Sequence, residues 1–143
     1  MRKVALITMT FLIGLFSLVA SQSPFPRIEV STIVIRDGKI LVDKTSGHLP
    51  GRQLHFGESP SACALKELAS ETGLVAHKAK KVSWTSELFD PLDKHYITLF
   101  VLVGDVEGKE NLESYKWVEL NSLPGPVYTH IKEISLDKID SIS

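Results

Sequence analysis

The chain holds one cysteine, Cys63, in 143 residues. No intrachain disulfide can form, although small exported domains are often stapled that way. The fold must therefore rest on an apolar core. At 43% hydrophobic and 23% charged, the chain has enough apolar surface for one globular domain and too much for disorder. The pattern Asn-x-Ser/Thr is missing, so no N-glycan acceptor is offered. Internal repeats and low-complexity tracts are missing too. So is a surplus of basic charge, with 16 Lys and Arg against 17 Asp and Glu.

Charge is also missing from Val4 to Ala20. That run follows Arg2 and Lys3 and ends in Val19-Ala20-Ser21. A basic start, an apolar stretch and small residues at the end form a secretory leader pattern. The run is short for the roughly 20 residues of a bilayer span, so a retained anchor is the weaker reading. We expect a signal peptide over 1–21, a linker over 22–26 and one domain over 27–143. Removing Arg2 and Lys3 leaves 14 basic residues against 17 acidic, a net charge of −3. Such a chain is not built to hold duplex nucleic acid by counterion release. No stable membrane span is expected after cleavage. The expected location is secreted or periplasmic.

Ile28 to Arg36 alternates and is rich in β-branched residues, and Asp37-Gly38 then predicts a hairpin turn. Lys39 to Val42 reads as the return strand, and Gln53 to Phe56 as a short strand. Ser59 is a good N-cap, Pro60 suits the first helical position, and Gly73 suits a left-handed C-terminal cap. The helix should span Pro60 to Thr72. Strands follow over Lys81 to Leu88, His95 to Val103 and Lys116 to Glu119. A second helix is expected from Val127 to about Ile139. Strands and helices in this order imply an α+β fold, a mixed sheet with helices packed on it.

On the predicted helix Glu67 and Glu71 lie four apart, so they project from one face. Two like charges there repel unless a cation sits between them. Mg²⁺ takes one or two carboxylates and fills its shell with water and substrate phosphate. Spacing alone favours the plainer reading of a solvated helix face.

The surrounding string changes that balance. Glu58, Lys66-Glu67-Leu68, Ser70-Glu71 and Gly73-Leu74 resemble the Nudix box, which reads Gly, five residues, Glu, seven residues, Arg-Glu-aliphatic, any, Glu-Glu, any, Gly-aliphatic. Six of its nine specified positions match with correct gaps. Leu49-Pro50-Gly51 resembles the entry turn, and Leu54 to Ser59 resembles the MutT-like branch. The resemblance covers roughly 27–124.

It implies a Nudix-type α/β/α sandwich that hydrolyses a nucleoside diphosphate derivative with Mg²⁺ or Mn²⁺. Glu67 and Glu71 match the carboxylates that hold the metal, and the resemblance implies a role for one of them in activating water. Glu58 matches the structural glutamate, with Lys66 as its expected partner. Gly51, Gly57, Lys66, Ser70 and Gly73 complete the structural box.

Three positions depart from the pattern, and at one of them Lys66 keeps the charge of the box arginine. Arg52 stands where the box glycine belongs, and would either block the metal or contact a phosphate. Ser70 replaces a glutamate and removes one negative charge. The loop Lys44 to Leu49 is short. Arg52, His55 and Glu110 are the candidate substrate contacts, with Glu113 a further acid near Glu110. Two readings follow. The first is an exported, metal-dependent hydrolase acting on a small nucleotide-type substrate. The second is a degenerate Nudix domain that binds a nucleotide or protein partner with little or no hydrolysis. Capped RNA stays open through Lys78, Lys80 and Lys81, as does a homodimer. Related proteins are exported by pathogens into hosts, so delivery into a host cell is a further expectation. Trp84, Phe89 and Trp117 are aromatic enough to stack on a base, but at least two should pack in the core. His55 should be half-buried, and Cys63 should act as a small buried hydrophobe.

Overall fold

A computed structural model describes residues 25–123 together with Gly125, Ile131 and Ile134. The expected leader, and most of the expected C-terminal helix, lie outside the described residues. Among the described residues no helix is long and apolar enough to cross a membrane.

The expected α+β architecture is what the chain forms. Strands β1 (Arg27–Arg36), β2 (Lys39–Asp43) and β3 (Gly51–Gln53) precede helix α1 (Pro60–Thr72). Strands β4 (Val75–Phe89), β5 (Lys94–Glu107) and β6 (Tyr115–Glu119) follow, ending in a 3₁₀ turn at Leu120–Ser122. The sheet order is β4-β5-β1-β2-β6, with β3 also paired to β1. The β1–β5 pair is parallel and the other pairs are antiparallel.

Period-two alternation sorts the core into two faces. Val30, Val34, Leu41, Val101 and Val103 pack with Cys63, Ala64 and Leu68 of α1. Their neighbours Ile33, Ile40, Val42, Phe100 and Leu102 form the other face with Ile131 and Ile134. The mixed sheet is thus apolar on both sides, as a layered fold requires.

The capping signals around α1 act as the sequence implies. The Ser59 hydroxyl accepts from the Ala62 N–H at 3.1 Å, and Pro60 opens the helix. Gly73 sits at φ +74° and its N–H donates to the Ala69 carbonyl. Buried Thr72 donates to the Leu68 carbonyl at 2.6 Å and accepts from the Leu74 N–H. Asp37 and Gly38 both take positive φ, as the hairpin turn demands.

Other expectations need correction. The strand expected over Gln53 to Phe56 lies earlier, at Gly51–Gln53. A Cβ at Gly51 would meet the Val30 carbonyl oxygen at 2.5 Å, so glycine permits this pairing. β4 begins at Val75 instead of Lys81 and includes Phe89, because it pairs with β5 nearly throughout. Only Trp117 of the three aromatics packs against the core. Trp84 and Phe89 are exposed on the edge strand β4, where Phe89 meets the Tyr96 ring edge-on at 5.7 Å. His55 is exposed as well.

Candidate functional site

The site is built where β3 meets the start and middle of α1. In the β1–β3 pair Arg52 lies opposite Val30. Directly opposed residues share a face of the sheet, and Val30 packs on the α1 side. Register therefore sends the Arg52 side chain towards the helix.

Its guanidinium finds Glu58 there. Nη2 donates to Oε1 at 2.6 Å and Nη1 donates to Oε2 at 2.9 Å. This is a two-pronged fork, the arrangement a planar guanidinium suits. Nη1 also donates to the Gln53 carbonyl at 3.0 Å. The expected Glu58–Lys66 pair is secondary. Lys66 Nζ stands 3.8 Å from Glu58 and its side chain is 72% exposed, against 9% for Glu58. A strand residue facing the helix reaches the inner carboxylate better than a helix residue facing solvent. The Arg52 hydrogen bonds, helped by the His55 N–H, hold the Glu58 carboxyl down to about 2.

Arg52 touches a second acid. Its Nε lies 3.3 Å from Glu67 Oε2. Glu67 is nearly buried at 12% side-chain exposure. Burial, then the negative charge of Glu71, push its carboxyl above the ordinary range, while Arg52 opposes them. Glu71 itself is exposed. The two glutamates thus sense each other across one helical turn, as their spacing implied. Ser70 turns its hydroxyl to the Glu67 carbonyl at 3.3 Å.

Tyr115 and Asp43 were not singled out in the sequence. They are register partners in the β2–β6 pair. Burial first, then the charges of Glu71, Glu67 and Asp43, push the Tyr115 phenol up. Their nearness to α1 depends on how β6 docks beside β2, which no local motif reports. Asp43 is itself held low, chiefly by the Ser46 and Thr45 backbone N–H groups.

The remaining candidates separate. Glu110 pairs with Arg36 at 3.4 Å, in a loop whose Asn111 N–H binds the Thr72 carbonyl at the end of α1. Glu113 offers its backbone carbonyl to Lys44. His55 lines an open cleft of about 630 Å³ beside Arg27, Ile28, Leu54, Phe56 and Glu58. Lys78, Lys80 and Lys81 are exposed on β4. Cys63 is fully buried, and desolvation pushes its thiol up. That suits packing and not nucleophilic chemistry.

No group of three or more His, Cys, Asp or Glu is positioned for a metal among the described residues. Two carboxylates crowding each other on one helix face still fit a single hard cation that completes its shell with water. Glu67 and Glu71 would hold it.

A mixed sheet carrying a capped helix with this acidic face is an α+β scaffold with a candidate cation site on its helix. The NUDIX domain family model matches residues 26–137, and the chain belongs to the Nudix family. The chain is similar to the ADP-ribose pyrophosphatase of Methanocaldococcus jannaschii, 27% identical over 76% of this chain and 71% of that protein. In structure it is similar to the MutT NUDIX hydrolase from Burkholderia pseudomallei, with a TM-score of 0.61 and 21% identity over 71% of this chain and 89% of that one. The MutT protein from Bacillus halodurans gives a TM-score of 0.64 at 16% identity, over 74% and 80% of the two chains. At such identities the two structures bear on the fold alone.

Proposed function

We propose that the protein hydrolyses the diphosphate bond of a nucleoside diphosphate derivative, using Mg²⁺ or Mn²⁺ held by Glu67 and Glu71. The observation that carries this reading is the acidic pair itself. A nearly buried carboxylate is crowded by a second one four residues on, and that arrangement is relieved by a bound cation. A divalent ion there supplies Lewis-acid stabilisation and a template for diphosphate and water. The chain's own part is to fix Glu67 through burial and Arg52, and to leave Glu71 open to solvent and substrate. The Methanocaldococcus jannaschii relative makes ADP-ribose the first substrate to try.

The test is phosphate-ester product formation from ADP-ribose, dinucleoside polyphosphates, oxidised dNTPs and capped RNA, with each metal. Metal-dependent turnover that falls at least about a hundredfold in Glu71→Gln is the expected result. That substitution should leave the fold intact, since it removes a like-charge pair worth roughly 0.2–0.5 kcal/mol.

A second reading is favoured by Arg52 on Glu67 and by Ser70 in place of a carboxylate. In it the domain binds its ligand with little hydrolysis. Saturable ligand binding without turnover, for every substrate and both metals, would select it. Export belongs to the proposal too, and rests on the basic-apolar-small leader of residues 1–21. A chain recovered from the producing cells with Met1 still attached would count against it.

A further inference from the structure

We propose that Arg52 is a built-in counter-cation of Glu67 which an incoming divalent metal must displace, so that this chain binds metal more weakly than its carboxylates alone would allow. The inference rests on the reading of Glu67 and Glu71 as the metal-holding pair.

Three observations carry it. The first is placement. The β1–β3 register directs Arg52 to the α1 face, so its position follows from backbone pairing and does not depend on a chance rotamer. The second is connectivity. One guanidinium binds Glu58 through both Nη atoms and reaches Glu67 through Nε. It therefore neutralises a structural glutamate and a metal-holding glutamate together. The third is the state of position 66. Lys66 is exposed and stands 3.8 Å from Glu58, so it does little of this work. The sequence has arginine where the box has glycine, and lysine where the box has arginine. In effect one guanidinium has moved from the helix to the strand, and from there it also touches Glu67.

The alternative role for Arg52, phosphate binding, fits less well. Nε faces Glu67, Nη1 serves Glu58 and Gln53, and Nη2 serves Glu58. Four of the five N–H donors of a guanidinium are thereby directed within the protein. A metal at Glu67, by contrast, competes for the carboxylate whose Oε2 Nε faces at 3.3 Å. It must break that contact and then stand close to a retained positive charge, and both effects weaken it.

The test is calorimetric titration of Mn²⁺ into the full chain. Arg52→Gln removes the counter-cation. Arg52→Gly combined with Lys66→Arg removes it while returning a guanidinium to Glu58, and so protects the fold. Both variants should bind Mn²⁺ roughly tenfold or more tightly than the unsubstituted chain. Adding Glu67→Gln to the double variant should erase the gain. In the unsubstituted chain, the Arg52 Nε–H resonance should shift as Mg²⁺ saturates the site. That measurement decides the matter even if a variant fails to fold. Unchanged or weaker Mn²⁺ affinity in folded variants would overturn the proposal, as would an Nε–H resonance that stays put at saturation. Metal bound equally well with and without Arg52 sinks this inference and leaves the hydrolase reading standing. No Mn²⁺ binding by any folded form sinks both.

Discussion

Glu58 is the residue on which the site's geometry turns. Its carboxylate accepts from Arg52 twice and from the His55 N–H, while its own N–H returns to the His55 carbonyl. This small closed network fixes the turn that launches α1. Lys66→Ala should therefore cost less than about 0.5 kcal/mol, as for other exposed pairs. Arg52→Ala should cost several times more, because it leaves a nearly buried carboxylate without its fork. Urea midpoints of the two variants decide the order, and an equal loss would contradict it. The same carboxylate sets an acid limit. Its folded value lies at about 2 against an ordinary 4.5. A lowered carboxyl stabilises the fold above its unfolded value, and that contribution is lost as the folded group protonates. Stability should therefore fall as pH drops from about 4.5 towards 2. Glu58→Gln should be weaker at neutral pH and should lose less over that window. Comparing the pair cancels Asp43, which titrates in the same direction.

At the scale of elements, pairing register does what propensity cannot. The limits of α1 were legible because Ser59, Pro60 and Gly73 each act within one turn of where they stand. Strand β3 was misplaced because Gln53 to Phe56 has the better strand composition, whereas the observed pairing depends on Gly51 fitting against β1. The length of β4 was also hidden. Its first half, with Lys78 and Lys80, precedes the strand expected from Lys81, and only the partner strand β5 holds it extended. That Glu67 and Glu71 share one helix face was legible from their spacing, but the partner of Glu58 was not, since Arg52 and Glu58 meet through a strand facing a helix. Gly51→Ala tests the register directly. A Cβ 2.5 Å from the Val30 carbonyl forces β3 away from β1, at a cost of roughly 1–3 kcal/mol. It should also pull Arg52 off the helix, so the acid sensitivity tied to Glu58 should shrink with it. A variant as stable as the parent, with the acid profile unchanged, would show that β3 does not position Arg52.

Across the whole molecule, the sheet divides labour between its two faces. One carries α1 and every acid assigned to the metal. The other is closed in part by Ile131 and Ile134, which are 7% and 3% exposed and pack with Ile33, Ile40, Val42, Phe100 and Leu102. With a single cysteine the chain has no intrachain disulfide to fall back on, so both apolar layers must contribute to a stability that is marginal in any small domain. Truncating a buried side chain on either face should then cost about 2–4 kcal/mol. Ile134→Ala and Leu68→Ala should be similar in that respect. Their effects on the site should differ. Leu68 is fully buried beside Glu67 on α1, so a cavity there lets the helix shift against the sheet and should weaken Mn²⁺ binding as well. Ile134 lies across the sheet from the acids, and its loss should lower the urea midpoint while leaving the affinity of the folded fraction unchanged. Equal damage to metal affinity from both variants would mean that the sheet transmits strain between its faces, and that the site depends on the whole core and not only on the layer that carries it.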